Sequence, residues 1–141
     1  MRKLITMAML LVSFITASAQ YPGWVNTPLV NGRDVTFRLT APKAVSVKVY
    51  GDFLPGVNEY NLGGNTEMKE VNGVWEYTAR DLAPDFYFYY FEVDGVKVLD
   101  PMNMKVVCNY SEFYNSFLVE GEASVNLRTD GVNKGTLQTI W

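Results

Sequence analysis

The sequence predicts an all-β protein, a β-sandwich of about seven strands, and three observations carry that expectation. Apolar residues recur at every second position through "VTFRLT" and "VSVKVYGD", the period of a strand with one dry face. Two dipeptides that favour tight hairpin turns, Asn72-Gly73 and Asp94-Gly95, interrupt further runs of the same kind. Beyond the first residues nothing repeats at a helical period, and many short strands with turn signals between them pack as two sheets.

Taken in order, residues 1–19 read as a secretory signal peptide. Arg2 and Lys3 precede an apolar run from Leu4 to Ile15, and Ala17-Ser18-Ala19 supplies a small-x-small cleavage site. The run is shorter than the roughly 20 residues that cross a bilayer, so the mature chain is expected to be exported, periplasmic or extracellular, and free of the membrane. Residues 20–33, with Trp24, form a lead-in. "VTFRLT" then turns Val35, Phe37 and Leu39 inward, and Pro42 ends it. In "VSVKVYGD" Val45, Val47 and Val49 point in, while Ser46, Lys48 and Tyr50 point out. Gly51 to Thr66 is a long Gly- and Asn-rich loop carrying Phe53, Leu54 and Tyr60, and long loops in small domains are often functional. Counting outward from Asn72-Gly73 pairs Val71 with Val74, Glu70 with Trp75, Lys69 with Glu76 and Met68 with Tyr77. Lys69 and Glu76 would form an exposed ion pair, with Met68, Trp75 and Tyr77 on the core side. "SFLVEG" and "GTLQTIW" are shorter strand candidates.

The most unusual run is "DFYFYYFEVDG", Asp85–Gly95. Its Asp94-Gly95 turn pairs Val93 with Val96, Glu92 with Lys97 and Phe91 with Val98. The charged pair marks the wet face, so Tyr87, Tyr89, Phe91 and Val93 belong to the core and Phe86, Phe88 and Tyr90 point outward. Outward rings on such a strand have three possible fates. The loop 51–66 caps them, a sugar stacks on them, or another domain covers them.

Composition narrows the chemistry. The chain has no histidine and one cysteine, which removes Ser-His-Asp and Cys-His catalysis, imidazole metal sites and any internal disulfide. No nucleophile elbow or phosphate-cradling loop is present, no pair of carboxylates is set apart, and no cofactor is implied. Cys108 reads as a small buried apolar residue. The net charge of −3 becomes more negative once Arg2 and Lys3 are removed, which disfavours nucleic acid as a partner. The chain is not expected to be an enzyme by itself.

"VTFRLTAPKAVSVKVYGDF", "GVWEYTARDLAPDFYFYYFEVDGVKVLDP" and "NSFLVEG", closed by "KGTLQTIW", together resemble carbohydrate-binding module family 48. That family is an early-set, immunoglobulin-like sandwich. The variety most similar lies at the N-terminus of secreted esterases of the feruloyl and acetyl xylan esterase type, common in Bacteroidetes. The resemblance implies a module over residues 34–121. Residues 122–141 then form a linker and the start of an esterase domain that the chain does not contain. It also implies a non-catalytic accessory role in plant cell-wall polysaccharide breakdown, with the esterase domain as partner in cis and a polysaccharide or oligosaccharide as possible ligand. The alternatives are a stand-alone glycan-binding protein, or a structural domain docking through its aromatic face. Sugar-binding members use two tryptophans, a lysine and an asparagine. These fall here near Leu54 or Pro55, on Lys97, on Tyr90, and on Tyr114 or Asn115, so neither tryptophan is kept. The candidate ligand or docking face is therefore Leu54, Tyr60, Phe88, Tyr90, Lys97 and Asn115.

Overall fold

The computed structural model describes residues 25–56, 63–127 and 135. The signal peptide, Trp24, Tyr60 and nearly all of "GTLQTIW" lie outside them.

Among the described residues ten strands form two antiparallel sheets, an immunoglobulin-like β-sandwich. In chain order they are β1 Leu29–Asn31, β2 Asp34–Thr40, β3 Val47–Gly51, β4 Gly64–Glu67 and β5 Lys69–Val71. They continue with β6 Val74–Ala79, β7 Phe86–Val93, β8 Val96–Val98, β9 Val106–Asn109 and β10 Glu112–Leu118. The smaller sheet runs β1-β2-β6-β5; the larger runs β4-β3-β7-β10-β9, with β8 also on β7. The count exceeds the expected seven because three-residue strands such as β1, which lies in the expected lead-in, carry too little periodicity to stand out.

Period two holds where it was clearest. Val35, Phe37 and Leu39 of β2, Val47 and Val49 of β3, Tyr89 and Phe91 of β7 and Phe117 of β10 are buried together between the sheets. Phe37 sits at the centre, its ring stacked 5.0 Å from Phe53 and edge-on to Tyr89 and Phe117. Both hairpins keep the register counted from their turns, and Asn72 and Asp94 adopt the positive φ that such turns need.

Local expectations fail where a competing partner exists. Val45 is 88% exposed, because β3 begins only at Val47 and the Asp94 carboxylate draws the Val45 and Ser46 amides outward. Lys69 lies opposite Glu76, but Glu76 pairs with Arg38 on the other neighbouring strand at 2.5 Å. Met68 does not lie opposite Tyr77 within β5. Its amide donates to Val47 O, so the segment Gly64–Val71 crosses at Met68 from the larger sheet to the smaller one. Cys108 is exposed, because it sits on the edge strand β9, which the four-stranded sheet does not cover.

Candidate functional site

The outer face of the larger sheet carries a continuous array of rings. β3 contributes Tyr50, β7 contributes Phe86, Phe88 and Tyr90, and β10 contributes Tyr114. The Tyr50 and Tyr90 rings stack at 4.7 Å and 9°. Tyr114 lies 6.0 Å from Tyr90 and 6.3 Å from Phe88, whose ring meets Phe86 edge-on at 5.2 Å. Lys97, on β8, reaches into this array with its Nζ 4.2 Å from the Tyr114 centroid and 4.7 Å from that of Tyr90.

Register explains the meeting. β8 and β10 both pair with the same side of β7, so Lys97 and Glu112 come together end to end. Lys97 Nζ donates to Glu112 at 2.6 Å instead of to Glu92, its cross-strand neighbour. Glu92 instead accepts from Lys48 at 3.2 Å and from the Tyr50 hydroxyl at 3.0 Å. The expected Glu92–Lys97 pair is thus replaced by two pairs flanking the rings. The hydrogen bond from Lys48 to Glu92 raises the lysine pKa. Burial pushes the Tyr90 phenol up to about 12, with Tyr50 and Tyr114 adding to it, so it is neutral at any physiological pH.

Phe88, Tyr90 and Lys97 thus lie together on this face with Tyr50 and Tyr114, which were not among the candidate site residues. Tyr50 was legible as an outward residue; Tyr114 entered only as the alternative to Asn115 for the family's asparagine, since its strand begins before the recognised "SFLVEG". Two other candidates belong elsewhere. Leu54 is part of the core, because the start of the loop turns Phe53 and Leu54 inward and not over Phe88 and Tyr90. Asn115, fully buried, faces inward on β10. Tyr60 lies outside the described residues.

Asn115 belongs to a buried polar cluster that the sequence did not reveal. The Asp100 carboxylate accepts from the Tyr89 hydroxyl at 2.7 Å, the Thr27 hydroxyl at 3.0 Å and the Met102 amide at 2.9 Å. The Asn115 side chain binds the Asp100 amide and Asn103 O, while Asn103 Nδ2 donates to Tyr89 Oη and Ser116 O. This fastens the 99–105 segment to the sheet; no cation is among these contacts, so burial raises the Asp100 pKa. The "DP" of the family-like segment was its one sequence signal.

At the loop's root the Asp52 carboxylate accepts from the Phe88 amide at 3.1 Å, and its own amide donates to Phe88 O. The residue keeps exposed surface, but its carboxylate lies against the β7 backbone, and this desolvation raises its pKa to about 6. Among the described residues no group of three or more potential ligands is placed to hold a metal ion.

No family model matches the chain, and no curated protein does either. Among solved structures it is similar to the Group B Streptococcus pullulanase SAP, at 21% identity over 63% of this chain and 13% of that one, TM-score 0.47. A Paenibacillus barengoltzii pullulanase variant complexed with maltotriose shares 23% identity over 67% of this chain and 15% of the other, TM-score 0.49. The chain thus spans only a small part of the length of these proteins.

Proposed function

We propose that the chain is a non-catalytic accessory module of an exported carbohydrate esterase active on plant cell-wall polysaccharide, and that its outer aromatic face is its contact surface with the catalytic domain. The observation that carries this reading is the array Tyr50, Phe88, Tyr90 and Tyr114 with Lys97 set among its rings. Tyr114 is buried and Tyr50, Phe88 and Tyr90 are half-buried, so together they present one partly apolar surface that a neighbouring domain would cover. The Tyr50 and Tyr90 rings stack on each other and Lys97 lies over Tyr90 and Tyr114, so a neighbour would meet the half-buried rings of Tyr50, Phe88 and Tyr90 from outside the sheet. The sequence resemblance supports the esterase setting, and the signal-like first 19 residues support export.

The reading frame beyond the Trp141 codon supplies the first test. A few hundred further codons containing G-x-S-x-G and a later histidine support the proposal; a stop codon in intact genomic sequence overturns it. The second test is association in trans with the separately expressed catalytic domain, which Phe88→Ser should weaken about tenfold or more while the module stays folded.

A stand-alone glycan-binding role is the second reading, favoured by the Tyr50 hydroxyl, Glu92 and Lys48 converging beside the rings. Titration with xylan, xylo-oligosaccharides and maltoheptaose, followed by tyrosine and tryptophan fluorescence, separates the two. A saturable response lost in Tyr90→Ala favours glycan binding; silence removes it.

A further inference from the structure

Asn31-Gly32, Asn72-Gly73 and Asp94-Gly95 each lie at a hairpin. In such pairs the glycine amide nitrogen can attack the preceding side-chain carbonyl, since no Cβ on the glycine obstructs the approach. The two asparagines share the local sequence Val-Asn-Gly, so in an unfolded chain they react alike, and any difference between them comes from the fold.

The surroundings differ sharply. The Asp94 carboxylate is tied to the Val45 and Ser46 amides at 2.9 Å, and a carboxylate is a poorer electrophile than an amide. At Asn31-Gly32 no carboxylate is bonded to the Gly32 amide among the described residues. Asp34, the nearest acid in sequence, is instead bonded to the Asp81 amide at 3.0 Å and to Arg80 at 3.4 Å. At Asn72-Gly73 the requirements for reaction meet. The Asn72 side chain is exposed, with no hydrogen bond holding it among the described residues. The Gly73 amide, the attacking group, donates to the Glu70 carboxylate.

We propose that Asn72 is a site of spontaneous deamidation, with Glu70 as the proton acceptor. The Gly73 nitrogen bonds to Asn72 Cγ. Its proton passes by way of Glu70 to the side-chain nitrogen, which leaves as ammonia. Water then opens the resulting cyclic imide at either carbonyl carbon, giving aspartate or isoaspartate at position 72. One water is consumed, one ammonia is released, and nothing is oxidised or reduced. The carboxylate takes up the proton whose loss makes the amide nitrogen a nucleophile, which is general-base catalysis.

The attachments of the turn make the change felt. Asn72 at φ +54° and Gly73 at φ +80° form the two-residue turn that fixes the Val71–Val74 pair. Isoaspartate routes the backbone through an extra carbon, which disturbs the register such a turn sets. Gly73 O also accepts from the Ala41 amide at 3.1 Å, and the Trp75 indole N–H donates to Ala41 O at 3.0 Å. Deamidation therefore loosens this hairpin from residues 41–42, and the Trp75 indole proton reports it.

The folded chain, held at neutral pH and mapped by peptide mass spectrometry, should gain acid at position 72 at least tenfold faster than at position 31. In urea the two rates should converge. Aspartate and isoaspartate appear as two peptides of equal mass and different retention. Glu70→Gln keeps an acceptor for the Gly73 amide but is a far weaker base. It should slow the reaction about tenfold or more with an unchanged thermal melt. Asn72→Asp supplies the charge without the extra backbone carbon, so it should leave the Trp75 indole resonance in place while the isoaspartate form shifts it. Equal rates at positions 31 and 72 in the folded chain, an unchanged or faster rate in Glu70→Gln, or an Asn72 amide that stays intact each overturns the proposal.

Discussion

At the scale of single residues, two desolvated carboxylates, Asp100 buried and Asp52 laid against the β7 backbone, set how the protein responds to pH. Asp52 has its native pKa raised to about 6 from an ordinary 3.8, and Asp100 is raised as well. In both, the native state prefers the protonated form. Their contribution to stability is therefore full below the ordinary value and is lost as pH rises, for Asp52 through about 6. Asp52→Asn, which keeps an acceptor for the Phe88 amide, should match the unsubstituted chain in melting temperature near pH 4 and exceed it at pH 7.5. An unchanged difference between those pH values would disprove the shift. Asp100→Ala removes the acceptor of three hydrogen bonds and should cost roughly 2–4 kcal/mol in urea unfolding. Phe37→Ala, emptying the centre of the core, should cost about 3–5 kcal/mol. Of these residues only Phe37 was legible in the sequence, since alternation reports which face a residue is on. Asp100 and Asn115 were not, because a buried polar cluster is assembled from distant parts of the chain and leaves no period.

At the scale of elements, the turns were legible because Asn-Gly and Asp-Gly each demand a single backbone geometry. Registers followed from the turns, but ion pairs did not. A strand in a sheet has two neighbours, and Glu76 chose Arg38 on β2 over Lys69 on β5. Lys97 likewise left Glu92 for Glu112, a residue brought near only because β8 and β10 share one side of β7. The aromatic strand β7 was read correctly by parity, whereas the inward turn of Phe53 and Leu54 was hidden in a loop without periodicity. That loop has its own constraint at its far end. A Cβ on Gly64 would lie 2.0 Å from Pro55 O, and one on Gly63, at φ +76°, would lie 2.1 Å from Gly51 O. Both obstacles are backbone, so Gly64→Ala should lower the melting temperature by several degrees, corresponding to ~2 kcal/mol or more. A variant that melts like the unsubstituted chain would show that the loop can shift at little cost.

At the scale of the molecule, stability rests on the apolar layer between the sheets and little on charge. Among the described residues the ion pairs Arg33–Asp81, Arg38–Glu76, Lys48–Glu92, Arg80–Asp34 and Lys97–Glu112 all retain solvent contact. Adding 1 M sodium chloride should therefore move the melting temperature by only a few degrees, since exposed pairs are each worth about 0–1 kcal/mol. A large drop would point to ion pairs as the principal support. The sandwich was legible as a whole because strand period and turn chemistry agreed along most of its length. The unequal size of its two sheets was not, since nothing local records how far one layer reaches over the other. The crossing at Met68 gives this asymmetry a mechanical sense. One uninterrupted length of chain, Gly64–Val71, is stitched into both sheets, like the spine of a book whose covers are the two layers. Among the described residues β1 and β9 are the outer strands of the opposite margin, where the bond from Thr27 to Asp100 is the clasp between the covers. Amide protons there should exchange with solvent by small, frequent openings, while those of Val49 and Met68 beside the spine should wait for the whole molecule to unfold.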